Sequence, residues 1–161
     1  CISLRVYSKN SFCEHHEFFE YTRKLIQFRK EHPALHRPEF FTGKDGNYNA
    51  LPDIAWFGPN GLPPDWADPR GLLAARLDGS LADIMADRDD NDFFFAFNNS
   101  DADVAFVVCP APAGKRWFDV LDTARPLPCS FIVHHERMPI VPQNSFILAA
   151  RSMRMLVSRL P

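Results

Sequence analysis

Hydrophobic positions follow two rhythms along this chain. From Glu14 to Lys30, Phe18, Tyr21, Leu25 and Phe28 recur at steps of three and four, and Phe19, Thr22 and Ile26 widen the stripe. That spacing predicts one long amphipathic helix. Acidic Glu14, Glu17 and Glu20 come early and Arg23, Lys24, Arg29 and Lys30 come late, the order a helix dipole favours. His32-Pro33 ends it, because the residue before a proline is pushed out of the helical region.

Beyond Pro33 the rhythm shortens. Apolar or alternating runs occupy Ile54–Phe57, Leu72–Leu77, Phe93–Asn98, Val104–Cys109, Trp117–Leu121, Phe131–Val133, Ser145–Ala149 and Met153–Val157. Turn residues separate them at 58–61, 98–101, 110–114 and 142–144. The pattern predicts a mainly β protein: an antiparallel β-sandwich of about seven or eight strands, preceded by the N-terminal helix. Phe93–Asn98 and Val104–Cys109 read as a hairpin across the Asn98–Asp103 connection. Residues 38–53 and 58–70, rich in Pro, Asn, Asp and Gly, read as ordered loops.

Composition narrows the function classes. The 161 residues suit one compact unit at roughly 150 residues per domain. Eighteen basic and twenty acidic side chains give a formal charge of −2 without a Lys/Arg run, which argues against nucleic acid. No apolar stretch approaches the roughly 20 residues that a membrane span needs. Fifteen Phe point to an aromatic core, and 14 Pro against 7 Gly point to stiff chain reversals. Cys1, Cys13, Cys109 and Cys129 include no close pair of the kind a zinc site uses. Free thiols in the cytoplasm are the expectation, with a Cys109–Cys129 bridge left open. The first Met is Met85, so the chain reads as a processed or cut piece of something longer.

Few residues suggest chemistry. Asp87, Asp89, Asn91 and Asp92 resemble a calcium loop superficially, but Asp92 and Asn98 stand where that loop wants Gly and Glu. A solvated acidic loop is expected instead. His15-His16-Glu17 and His134-His135-Glu136 lack the helical spacing of a zinc protease and read as surface groups. There is no Gly-x-Ser-x-Gly elbow and no glycine-rich phosphate cradle. No catalytic residue, metal site or cofactor is assigned. Trp56 and Trp117 lie in apolar runs and are expected to face the core. Trp66, in the polar loop Pro64-Asp65-Trp66-Ala67-Asp68-Pro69, is the candidate carbohydrate-stacking residue.

Five segments, in order, resemble the C-terminal part of isoamylase-type glycogen and starch debranching enzymes of the α-amylase superfamily. They are Phe18–Leu35 (FFEYTRKLIQFRKEHPAL), Asp53–Pro59 (DIAWFGP), Asp65–Pro69 (DWADP), Asp92–Asn98 (DFFFAFN) and Pro112–Ala124 (PAGKRWFDVLDTA). The resemblance implies that residues 1–32 hold the last helix of a catalytic (β/α)8 barrel and residues 33–161 an appended β-sandwich. It implies a non-catalytic domain of an α-1,6-glucosidic bond hydrolase, since the family's catalytic carboxylates lie on the barrel and none matches here. The implied partners are that barrel and α-glucan. A stand-alone carbohydrate-binding module or a protein-interaction domain is the alternative. Without the barrel, the stripe Phe18, Tyr21, Leu25 and Phe28 must fold onto the chain's own sandwich or pair two copies, because each large side chain left in water forgoes about 1.5–3 kcal/mol.

Overall fold

The computed structural model describes residues 9–46, 48–80, 88–127, 129–131, 141 and 144–161, with α-helical side chains from residue 16 onward. The helix, α1 (Lys9–Glu31), begins earlier than the hydrophobic rhythm, so the glutamates lie along its body and its first turn carries no acidic residue. The basic end is as expected, with Arg29 and Lys30 in the last turn. His32 is extended, and Pro33–Leu35 forms a single 3-10 turn.

Seven strands follow: β1 (Ile54–Phe57), β2 (Leu72–Leu77), β3 (Phe93–Asn98), β4 (Val104–Val107), β5 (Arg116–Asp122), β6 (Ser145–Leu148) and β7 (Ser152–Arg159). A large antiparallel sheet has the order β1-β2-β3-β7-β5, and a small one pairs β4 with β6. The expected sandwich with a preceding helix is therefore present. Of the run Phe131–Val133, Phe131 makes an isolated bridge to Leu121, and the other two positions lie outside the described residues.

The expected hairpin is not formed. β3 pairs with β2 and β7, while β4 pairs with β6 in the other sheet. Asn98 explains the difference. Its buried amide nitrogen donates to the carbonyls of Ala102, Leu148 and Ala149 at 2.9–3.1 Å, and its oxygen accepts from Ser100 N and Oγ. Those bonds turn the chain from one sheet into the other, where a hairpin would have kept it in the same sheet.

The large sheet is apolar on both faces. Its inner face brings Leu72, Ala74, Phe94, Ala96, Trp117 and Leu156 against Phe106, Val108 and Leu148. Its outer face carries three cross-strand rows, read from the register: Ile54–Leu77–Phe93–Val157, Trp56–Ala75–Phe95–Met155 and Leu73–Phe97–Met153. Phe28 of α1 closes over the first row, edge-to-face with Phe93 at 6.1 Å and Phe131 at 5.4 Å, with Tyr21 and Leu25 packed alongside. The helix thus folds onto its own sandwich through three members of the stripe. The fourth, Phe18, stays 61% exposed.

Most buried polar groups are paired, as their desolvation requires, with Arg37 Nε, Ser130 Oγ and Arg159 Nε the exceptions among the described residues. Arg76 pairs with Asp92, whose amide donates to Ser158 Oγ at 3.0 Å. Asp119 accepts from Arg125 and Arg154, each at 2.8 Å. The segment before β3 is the solvated acidic loop expected only in part: Asp89 is exposed, but Asp92 is buried against Arg76, and Asp90 bonds His32 Nδ1 at 2.7 Å and Ala34 N at 3.1 Å. Asp53 holds the preceding loop in place by accepting from Thr42 N at 2.8 Å, Gly43 N at 2.7 Å, Ile54 N at 2.8 Å and Arg37 at 3.1 Å. Burial pushes the Asp53 pKa up. The amides of Thr42, Gly43 and Ile54, with the Thr42 hydroxyl, outweigh burial and hold it below the ordinary carboxylate value.

Two outcomes follow from this packing. Phe28→Ala is expected to cost about 3–5 kcal/mol in urea unfolding, whereas Phe18→Ala stays within about 0.5 kcal/mol. Asp53, with its pKa depressed in the folded chain, contributes stability that is complete above its unfolded value of about 3.9 and is lost as pH falls through the folded value. The stability gap between the native chain and Asp53→Asn should accordingly narrow as urea unfolding is repeated from pH 7 down to pH 3.

Candidate functional site

The edge strand β1 and the loop that leaves it build the most distinctive surface. Ile54 lies opposite Leu77 and packs on the outer core, so Trp56, two residues on, takes the same face. Its cross-strand neighbour is Ala75, too small to cover an indole. Trp56 is consequently 42% exposed, a correction to the inward orientation expected from its apolar run. Trp117 does face the core, 6% exposed, with Nε1 donating to the Cys109 carbonyl at 2.8 Å.

The loop at 58–71 folds back on itself in short closed turns. Gly58 N donates to Leu62 O at 2.7 Å and Gly61 N to Gly58 O at 3.1 Å. Gly61 has a φ of +74°, and a side chain there would meet Val107 at 3.0 Å, so glycine is required twice over. Val107 N donates to Pro59 O at 2.8 Å and ties the loop to β4. Three side-chain oxygens close further turns: Asn60 accepts from Leu62 N at 3.1 Å, Asp65 from Ala67 N at 3.0 Å and Asp68 from Arg70 N at 2.9 Å. The Arg70 guanidinium meets both oxygens of Asp68 at 2.8–3.1 Å. Its hydrogen bonds hold the Asp68 pKa below the ordinary value.

This frame presents Trp66 to solvent, 72% exposed, and sets it edge-to-face with Trp56, the ring centroids 6.0 Å apart and the planes inclined at 67°. The sequence singled out Trp66 alone. Trp56 was missed because its neighbours are apolar, and only its exposure in the fold shows that it is left uncovered. The exposed Leu62 belongs to the same loop.

A second feature is the apolar surface left around α1. Phe18, Phe19 and Ile26 are exposed on the helix, and Phe97 is 37% exposed on the third row of the sheet. A cleft of about 640 Å³ separates the end of α1 from the end of β7, lined in part by Glu31, His32, Asp90, Lys115 and Arg159. Burial pushes the Arg159 pKa down there. Among the described residues no group of His, Cys, Asp and Glu could hold a metal, and no helix is long and apolar enough to cross a membrane. His16 is exposed; Asp87 and His134-His135-Glu136 lie outside the described residues. Cys109 and Cys129 are both free thiols, so the bridge left open by the sequence is not made. Burial raises the Cys109 pKa.

Fold and surface together define a helix-capped antiparallel β-sandwich with an exposed tryptophan pair on its edge. No family model matches the chain. Curated proteins do. An isoamylase of Flavobacterium sp is 37% identical over 108 residues, 65% of this chain and 13% of that protein. An isoamylase of Pseudomonas amyloderamosa is 29% identical over 111 residues, 66% of this chain and 12% of that protein. A "Glycogen operon protein GlgX homolog" of Mycobacterium tuberculosis (strain ATCC 25618 / H37Rv) is 29% identical over 151 residues, 87% of this chain and 20% of that protein. The chain is a relative of the isoamylase-type enzymes and corresponds to their C-terminal region. The matched region spans 12–20% of the length of these relatives.

Proposed function

We propose that this chain is the non-catalytic C-terminal part of a glycogen- or starch-debranching enzyme, which hydrolyses α-1,6-glucosidic bonds, and that it steadies the catalytic barrel of that enzyme. The observation that carries the reading is the half-covered outer face of the large sheet. Its first row is sealed by α1, while Leu73, Phe97 and Met153 on the third row and Phe18, Phe19 and Ile26 on the helix keep apolar surface in contact with water. A surface apolar over that extent marks a contact with another body. The relatives, several times longer than this chain, supply one. On this reading residues 1–32 belong structurally to the barrel and residues 33–161 form the appended sandwich.

The carboxylates support the division of labour. A glycosidase needs an acid and a base or nucleophile free to meet the sugar. Here Asp53, Asp90, Asp92 and Asp119 are each buried or nearly so and engaged by an arginine, a histidine or backbone amides. They hold the fold together. The unbridged Cys109 and Cys129 suit the reducing cytoplasm in which we place the enzyme.

The test is an assay of the chain alone on amylopectin or glycogen. Reducing ends are expected to stay at the level of the protein-free control over hours. Sustained, protein-dependent release of linear chains would contradict the reading.

A further inference from the structure

We propose that Trp56 and Trp66 form a stacking site for an α-1,4-linked glucan chain, the two indoles taking neighbouring glucose units. The proposal rests on reading the chain as part of a glucan-acting enzyme and adds a ligand site to it.

The loop geometry gives the first reason. A large ring that is 72% exposed gains little from burial in this fold, yet closed turns, a β4 anchor and a bidentate ion pair hold the segment that carries it. Rigid presentation removes the ordering cost that a mobile side chain would meet on binding. Trp56 adds a second indole at 6.0 Å, placed by the register of a paired strand and not by the loop. Two independent elements therefore converge on one aromatic surface.

The second reason is chemical. Tryptophan offers a broad apolar face and an N–H at its rim, a combination suited to ligands that are apolar on one side and hydroxylated at the edge. A pyranose ring has that form, with C–H groups on its faces and hydroxyls around it. Exposed Asn60, Asp65 and Arg70 on the same loop add hydrogen-bonding groups. The loop's own charge disfavours anions, because the Arg70 guanidinium is occupied by Asp68 and Asp65 adds a further negative group. A neutral polyol meets no such penalty.

The third reason selects the linkage. A β-1,4-linked glucan is a flat ribbon whose sugar faces suit aromatic rings lying in one plane. An α-1,4-linked chain turns from unit to unit. Faces inclined at 67° match a chain that turns.

The experiment is a titration of the whole chain with maltoheptaose, read by tryptophan fluorescence, beside retention of the chain in native gels containing glycogen. Trp117 is buried, so a ligand-induced change reports on Trp56 and Trp66. A saturable change with maltoheptaose and none with cellohexaose is expected. Trp66→Ala should weaken binding by roughly tenfold or more, the size of effect that loss of one good aromatic contact produces. Trp56→Phe should weaken it less, and Trp66→Phe, which keeps a ring, should recover part of the loss. The unfolding midpoint should stay unchanged for Trp66→Ala, since the ring lies outside the core.

No saturable response, an equal response to cellohexaose, or retention on glycogen unaltered in Trp66→Ala would overturn the proposal. So would self-association through the tryptophan pair without sugar binding, which would mark the patch as a protein contact. None of these results touches the reading of a non-catalytic part, which falls only if the chain itself releases sugar from branched glucan.

Discussion

A β-sheet that is apolar on both faces needs two covers, and that requirement organises this molecule. The strand Phe93–Asn98 sends Phe94 and Ala96 toward the small sheet and Phe93, Phe95 and Phe97 the other way. Its sequence therefore lacks the hydrophobic-polar alternation of a half-exposed strand and reads as a nearly continuous apolar run, the mark of a strand buried on both sides. The small sheet, with Val108, Cys109, Ala111 and Val141 beside it, packs against the inner face. Among the described residues the outer face is covered by α1, the turn after it and Phe131, which close over the Phe93 end and leave Phe97 exposed.

The ion pairs follow from the same constraint. Strands buried on both sides have nowhere to put a charge except against an opposite one, and Arg76–Asp92 and Asp119–Arg154 sit within the layers on those terms. Removing one partner of such a pair strands the other in a medium that cannot solvate it, so these side chains are committed to structure. The wet rim of the molecule, and in particular the loop at 58–71, is where side chains remain free to meet something else.

Element positions were legible in the sequence to a large extent, and their pairing was not. Ile54–Phe57, Leu72–Leu77 and Phe93–Asn98 are bounded by turn residues that stop strands wherever they pair, so local chemistry located them. The partner of β3 depended on Asn98, whose contacts at Leu148 and Ala149 lie fifty residues away in the chain, beyond any local pattern. Trp66 stood out because its neighbours are polar. Trp56 did not, because an apolar neighbourhood carries the same letters whether a helix covers it or stops short. The start of α1 at Lys9 was also hidden, since no hydrophobic rhythm marks its first turns.

The central claim, that one face of the large sheet is sealed at one end and open at the other, is tested most directly by hydroxyl-radical footprinting of the folded chain. Met153 and Met155 lie two residues apart on the same face of β7, and Phe97 and Phe93 lie four apart on the same face of β3. The account predicts rapid oxidation of Met153 and Phe97 and protection of Met155 and Phe93, in keeping with Phe97 at 37% and Phe93 at 0% exposure. Equal protection at both ends would show a face already closed within the chain, and equal oxidation would show that α1 does not cover it; either result would contradict the account.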